Sequence, residues 1–310
     1  RLDKGIFRMP IDRVFTIKGF GTVVAGTVIS GTIYQDDSVE LLPQGNKVRV
    51  RGLQVHEKPV KNSTIGYRTA VNLASVDKET ISRGDILAEA GFYEATSMID
   101  CSLRLLDSCD RIVKNRMRVR VHIGTSEVIG RMVLLDKEEL MPGETAFVQF
   151  RLEKPLVADR GDRYVIRTFS PITTIGGGKV LDQRPDKHKR FREKVISRLK
   201  RLVKGDPSQV ILEYLRSSLF VPRDIPGLAR GVKMTEEAVK QALDSLESDS
   251  TAVRIGKKRW LTEKNLENLK HRIVERLSAF YETHPMRIFM SSAELRSGIK
   301  QQVDKPLFEY

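Results

Sequence analysis

The stretch Met9-Pro-Ile-Asp-Arg-Val-Phe-Thr-Ile-Lys-Gly-Phe-Gly-Thr-Val-Val-Ala-Gly-Thr-Val28 decides how this chain folds. Val14, Thr16 and the run from Thr22 to Ile29 are strand-forming, and Lys18-Gly-Phe-Gly21 is a turn between them. A second glycine-punctuated run, Ile65-Gly-Tyr-Arg-Thr-Ala-Val-Asn-Leu73, has the same character. Gly31, Asp36-Asp37, Gln44-Gly-Asn46 and Arg83-Gly-Asp85 mark further turns, and Val48-Arg-Val50 alternates apolar with basic. Many short strands at this spacing predict a small closed β-barrel over residues 1–93.

The same style repeats over 94–182. In Arg118-Val-Arg-Val-His-Ile123 the residues Val119, Val121 and Ile123 share one face, and Arg118, Arg120 and His122 share the other. Phe147-Val-Gln-Phe-Arg-Leu152 and Arg163-Tyr-Val-Ile-Arg-Thr168 alternate likewise, so a second barrel is expected. After Asp182 the apolar period changes from two to about 3.6. Helices are expected over Arg190–Lys204, from Pro207, over Pro222–Gly231 as a short broken segment, and over Glu236–Glu247 with Thr235 as N-cap. Val253-Arg-Ile-Gly-Lys-Lys-Arg-Trp-Leu261 reads as a hairpin with a basic tip. Helices followed by such a hairpin predict a winged helix over 183–262. A helix from Glu263 to Tyr281, then Pro285 and Ser291-Ser-Ala-Glu-Leu-Arg296, predicts the truncated start of a second winged helix over 263–310.

The 310 residues carry 54 Lys and Arg against 40 Asp and Glu, a net charge of +14. The excess lies mainly in 184–310, with 27 basic and 17 acidic residues, which points to a polyanionic partner such as nucleic acid. Two cysteines make no disulfide framework, and the five histidines lack metal-ligand spacing, so no metal is expected. No apolar run approaches the ~18 residues of a membrane span, and no signal peptide is present; a cytoplasmic protein with no membrane role is expected. The chain begins at Arg1 and stops at Tyr310 within a pattern, so it reads as a piece of a longer protein.

Three nucleotide-site look-alikes fail on inspection. Gly21-Thr-Val-Val-Ala-Gly26 has phosphate-loop spacing, but Thr27-Val28 stands where Lys and Ser/Thr are required. Gly176-Gly-Gly-Lys179 is preceded by Thr173 in place of the first loop glycine and is expected to be a tight turn between strands. Asp224-Ile-Pro-Gly227 lies in a helical region with no phosphate loop before it. No pair of carboxylates is placed with a histidine for hydrolysis, so the fragment is expected to be a binding module without catalytic residues or cofactor. In the tail, Lys257, Lys258 and Arg259 on the wing are nucleic-acid candidates. The expected recognition helix carries Glu236, Glu237, Lys240, Gln241, Asp244 and Glu247, an acidic balance poorly suited to a DNA groove.

Ile11-Asp-Arg-Val-Phe-Thr-Ile-Lys-Gly-Phe-Gly-Thr-Val-Val-Ala-Gly-Thr27, Arg83-Gly-Asp85 and Gly176-Gly-Gly-Lys-Val-Leu-Asp182, followed by a winged-helix tail, resemble the bacterial selenocysteine-specific elongation factors from their second domain onward. The first segment is shared with elongation factor Tu and the initiation factor two gamma subunit; the tail narrows the choice. The resemblance implies two barrels of translation-factor type followed by α/β winged-helix domains. It implies a pocket for the selenocysteinyl group at Asp12, Arg13 and Arg68, in which two guanidiniums stabilise a selenolate. It further implies contact of the second barrel with the tRNA acceptor and T arms, for which Arg116, Arg118, Arg120, His122 and Arg131 are candidates. The partners implied are selenocysteinyl-tRNA, the ribosome and, through C-terminal modules missing here, the selenocysteine insertion hairpin of the mRNA. The intact protein would be a GTPase using GTP and Mg. Two alternatives stand beside this: the tRNA-binding arm of another translational GTPase of initiation-factor type, and a winged-helix DNA-binding regulator.

Overall fold

The computed structural model describes residues 5–19, 21–204, 206–284, 286–299 and 303–308. Phe20 of the first turn and Pro285 lie outside the described residues. The chain forms two compact units, 1–204 and 205–310.

In the first unit, the strands are β1 (Arg8–Ile17), β2 (Gly21–Thr27), β3 (Thr32–Tyr34), β4 (Ser38–Leu42), β5 (Asn46–Val55), β6 (Lys58–Val60), β7 (Asn62–Thr64), β8 (Arg68–Leu73) and β9 (Ile86–Glu89). Their order β4-β9-β1-β2-β8-β5 closes into an antiparallel ring through the β4–β5 pairing, with β6 on the β5 edge and β3–β7 as a separate ribbon. Strand alternation sends Met9, Ile11, Val24, Val50, Val71 and Leu73 into the barrel.

The second barrel uses β10 (Thr96–Leu105), β12 (Arg118–Ile123), β13 (Ser126–Leu134), β15 (Thr145–Leu156), β16 (Arg163–Thr168) and β17 (Thr174–Asp182), closed in the order β10-β15-β13-β12-β16-β17. Short β11 (Val113–Lys114) and β14 (Glu139–Leu140) pair beside it. Gly176-Gly-Gly178 is not the expected turn: it lies inside β17. Strands β10 and β16 pass so close that a Cβ on Gly178 would fall 1.8 Å from the Ser102 carbonyl oxygen, and one on Gly177 2.5 Å from that of Tyr164. Glycine is required there by the close approach of the neighbouring strands.

The two barrels share a seam. Ile6, Leu42, Ile86, Ala88 and Tyr93 of the first pack on Val157 of the second. The β12–β13 hairpin tip approaches the first barrel so closely that a Cβ on Gly84 would lie 3.0 Å from Ser126 Cα, and one on Gly124 3.4 Å from Pro10.

Helix α1 (Glu193–Lys204), assigned by its periodicity to the winged-helix region, packs instead on the outside of the second barrel. Leu199 and Leu202 cover Val133, Leu135 and Leu181, apolar residues that alternation places on the outer wall.

The second unit contains α2 (Pro207–Ser217), β18 (Arg223–Asp224), α3 (Ile225–Val232), α4 (Glu236–Ser248), β19 (Ala252–Ile255) and β20 (Arg259–Thr262). Asp206, Asp224 and Thr235 cap their helices by accepting from Ser208, Gly227 and Ala238 N–H. Asp224 is therefore a helix cap, which explains the Asp-x-x-Gly spacing. The sheet order β18-β20-β19 beside three helices makes a winged helix. Helices α5 (Glu263–Thr283), α6 (Ser292–Ser297) and α7 (Lys305–Phe308) follow. Leu266, Leu269, Ile299 and Leu307 pack with Phe220, Ile255 and Leu261 of the winged helix. Among the described residues, no helix is long and apolar enough to cross a membrane.

Candidate nucleic-acid interface

Asp12 sits in a β-bulge: Ile11 pairs with Gly26 and Arg13 with Ala25, leaving Asp12 as the extra residue. Two strands away, Arg68 opens β8 opposite Thr27. Gly26 lies between them and cannot carry a side chain, because its Cβ would stand 2.1 Å from the Pro10 carbonyl oxygen. Across this gap Arg68 donates a fork to Asp12, Nε to Oδ2 at 3.2 Å and Nη2 to Oδ1 at 2.8 Å. The Asp12 hydrogen bond and charge raise the guanidinium pKa above its ordinary value. The fork leaves Arg68 Nη1 without a hydrogen bond among the described residues, at an exposed rim. Arg13 is exposed and joins no ion pair among the described residues. The structure thus joins Asp12 with Arg68, and does not pair Asp12 with Arg13.

On the second barrel, Arg118, Arg120 and His122 lie on the outer face of β12, with Arg131 opposite Arg118 and Arg167 opposite Arg120. Arg118 donates two 2.8 Å hydrogen bonds to Glu153 and lies over the Phe169 ring at 4.2 Å. Arg120 pairs with Glu127 and flanks the same ring at 5.3 Å. Phe169 therefore holds two guanidiniums in place. His122 is half-buried; burial, reinforced by Arg167 and Arg120 against the opposing Glu127 charge, lowers its pKa, so it adds little cationic character at neutral pH. Arg116 is exposed, with left-handed backbone (φ 65°) and its N–H on the Met132 carbonyl. Phe169, Arg151 and Arg167 were not singled out from sequence. The alternation of Arg163-Tyr-Val-Ile-Arg-Thr168 was the available signal for Arg167.

On the wing, Gly256 (φ 64°) makes the turn that exposes Lys257 and Lys258. Arg259 is committed elsewhere, donating to Asp304 at 2.8 Å. Glu247 of α4 receives Arg254 in a fork, at 3.1 Å on each oxygen. Glu236, Glu237 and Asp244 remain exposed on that helix.

Residues 21–88 match the family described as elongation factor Tu domain 2. Residues 101–187 match the beta-barrel domain of selenocysteine-specific elongation factor. A selenocysteine-specific elongation factor of Desulfomicrobium baculatum is 33% identical over 307 residues, 98% of this chain and 48% of that protein. The Haemophilus influenzae protein of the same name is 28% identical over 93% of this chain and 45% of its own length. The chain thus spans about half the length of the curated relatives it matches. The crystal structure of a bacterial selenocysteine-specific elongation factor shares the fold over 97% of this chain and 46% of its own, with a TM-score of 0.73 at 23% identity. The second barrel thus carries the beta-barrel domain of selenocysteine-specific elongation factor, and similarity to factors of that name runs along nearly the whole chain.

Proposed function

We propose that residues 1–310 hold selenocysteinyl-tRNA for delivery to the ribosome, with the selenocysteinyl end at Asp12–Arg68 and the acceptor and T arms on the outer face of the second barrel. The observation that carries this reading is the Asp12–Arg68 fork with its free Nη1, set on a barrel of elongation factor Tu domain 2 type. A selenol is far more acidic than a serine hydroxyl and is largely anionic at neutral pH. Arg68, held by Asp12, and the exposed Arg13 would offer it charge-assisted contacts. A neutral serine would gain little from the same groups and would not offset their desolvation.

Arg118, Arg120 and Arg131, with Arg167 beside them, would bind phosphates, and Phe169 would fix the approach of Arg118 and Arg120. The winged helix would lead toward a part of the factor that binds the mRNA hairpin, in a cytoplasmic protein. Both glycine-rich look-alikes are strands and the Asp-x-x-Gly segment caps a helix, and GTP and Mg would be held elsewhere in the intact protein.

The test is the affinity of the full-length factor for selenocysteinyl-tRNA and seryl-tRNA, with and without Arg68→Ala. A preference for the selenocysteinyl form that falls at least tenfold in the variant is the expected result, about 1.4 kcal/mol or more. Equal affinity for both tRNAs in the unaltered protein overturns the pocket and favours the initiation-factor type of arm. Tight, sequence-specific duplex DNA binding would favour the regulator instead.

A further inference from the structure

Residues 183–192 are strapped to the second barrel by a buried polar hub. Asp100, fully buried on β10, accepts from Gln149 Nε2 at 2.9 Å and Arg198 Nη2 at 3.3 Å, and its Oδ2 lies 2.9 Å from His188 Nε2. Gln149, also buried, donates to the Asp186 carbonyl at 2.9 Å and accepts from His188 N–H at 3.3 Å. Arg190 Nε donates to the Leu134 carbonyl at 2.9 Å and its Nη2 to that of Lys137 at 2.7 Å; Phe191 N–H reaches the Leu135 carbonyl at 2.7 Å. A spacer has no need of so many anchors.

The anchors sort the charges. Arg184, Arg190 and Arg198 are spent on Glu94, Glu138 and the Asp100–Asp182 pair. Lys187, Lys189, Arg192 and Lys194 are exposed and have no ion pair among the described residues. Lys187 and Lys189 flank His188, whose carbonyl accepts from Arg151 Nη2 at 3.2 Å. Arg151 stands opposite Arg131, and Arg131 opposite Arg118. Neighbouring strands are about 4.8 Å apart. The strap therefore ends a fixed row of guanidiniums that crosses β12, β13 and β15, and two unopposed ammonium groups lie at that end.

We infer that the strap is a phosphate-binding element for RNA, and that Lys187 and Lys189 extend the tRNA surface of the second barrel beyond its strands. The inference rests on the tRNA reading above. Cations held at fixed spacing by a β-ladder and a buried hub suit the regular phosphates of a folded RNA. A membrane surface would call for an apolar face, and the strap exposes one large apolar side chain, Phe191.

The experiment measures binding of selenocysteinyl-tRNA to the full-length factor between 50 and 300 mM salt for three variants. Lys187→Ala/Lys189→Ala should weaken binding about tenfold or more near 0.1 M salt and reduce the log–log salt slope by roughly 1.5, the value for two lost phosphate contacts. His188→Ala keeps both lysines and should weaken binding with the slope nearly unchanged, since it loosens the strap without removing a contact charge. Arg118→Ala reports on the barrel face alone. If Arg118→Ala weakens binding and the lysine pair does not, the strap inference falls and the tRNA surface stands. If neither matters, the tRNA surface itself is wrong. Retained tRNA binding with loss of binding to phosphatidylserine vesicles would also overturn the inference. The lysines are exposed, so an unchanged melting temperature is the folding control.

Discussion

Arg8 on β1 and Asp162 just before β16 form an ion pair across the seam between the barrels, with Nη2 to Oδ2 at 2.6 Å, Nη1 to Oδ1 at 3.1 Å and both side chains 3% exposed. Asp162 also accepts from Asp159 N–H at 2.9 Å, and the Arg8 guanidinium lies 5.3 Å from the centre of the Tyr93 ring. The pair joins the barrel that carries Asp12 and Arg68 to the barrel that carries the arginine face. Removing one partner of a buried pair strands the other charge. Asp162→Asn should therefore cost about 3–5 kcal/mol in denaturant unfolding. Arg8→Met/Asp162→Leu should recover most of that loss, because neither charge is then left buried alone.

The glycines of β17 make a contrasting pair of expectations with Gly52. Gly178→Ala drives a Cβ into the Ser102 carbonyl, so β10 and β17 must separate. A loss of about 3 kcal/mol or more in thermal unfolding is expected. Gly52 has no atom within 4 Å of the Cβ position and no left-handed backbone. Gly52→Ala should be neutral or stabilise by up to about 1 kcal/mol, through the lower entropy of the unfolded chain.

Glu153 competes with any phosphate for Arg118. The two are forked together at the surface, and the hydrogen bonds from Arg118 hold the Glu153 pKa below the usual carboxylate range. Glu153→Gln should strengthen tRNA binding severalfold at low salt and steepen the salt dependence. An unchanged affinity would place Arg118 outside the contact surface.

Asp100 gives a pH dependence with a defined sign. Burial, aided by the Asp182 charge, raises its pKa above the ordinary 3.8, against the His188 and Gln149 hydrogen bonds that lower it. The folded state then binds this proton more tightly than the unfolded chain does. The contribution of Asp100 to stability is fully present below the ordinary aspartate value and is lost as pH rises through the raised folded value. Urea unfolding across the acidic range should show the unaltered protein losing stability relative to Asp100→Asn as pH increases. The reverse slope would mean that the hydrogen bonds and Arg198 outweigh burial.

Several features were legible because they are local. Thr235 reads as an N-cap from its own chemistry and its distance from the apolar run, and it caps α4 through Ala238 N–H. The period-two pattern of Arg118–Ile123 places its arginines outside the barrel because a strand allows no other arrangement. Gly176-Gly-Gly178 was misread because a glycine run signals a turn unless the neighbouring strands are known. Helix α1 was misassigned because its apolar stripe reveals that it must be covered, but not by which surface.

The amino-acid pattern by itself determined the two barrels, the winged helix and the outward arginines, since each follows from backbone periodicity and turn chemistry within a few residues. Tertiary structure alone decided the pairing partners. Asp12 meets Arg68 from 56 residues away, Arg8 meets Asp162 across 154, and Arg259 is claimed by Asp304. Such contacts depend on barrel closure, strand register and the docking of one element on another. No local pattern encodes these, because they arise only when the apolar faces of distant segments are buried together.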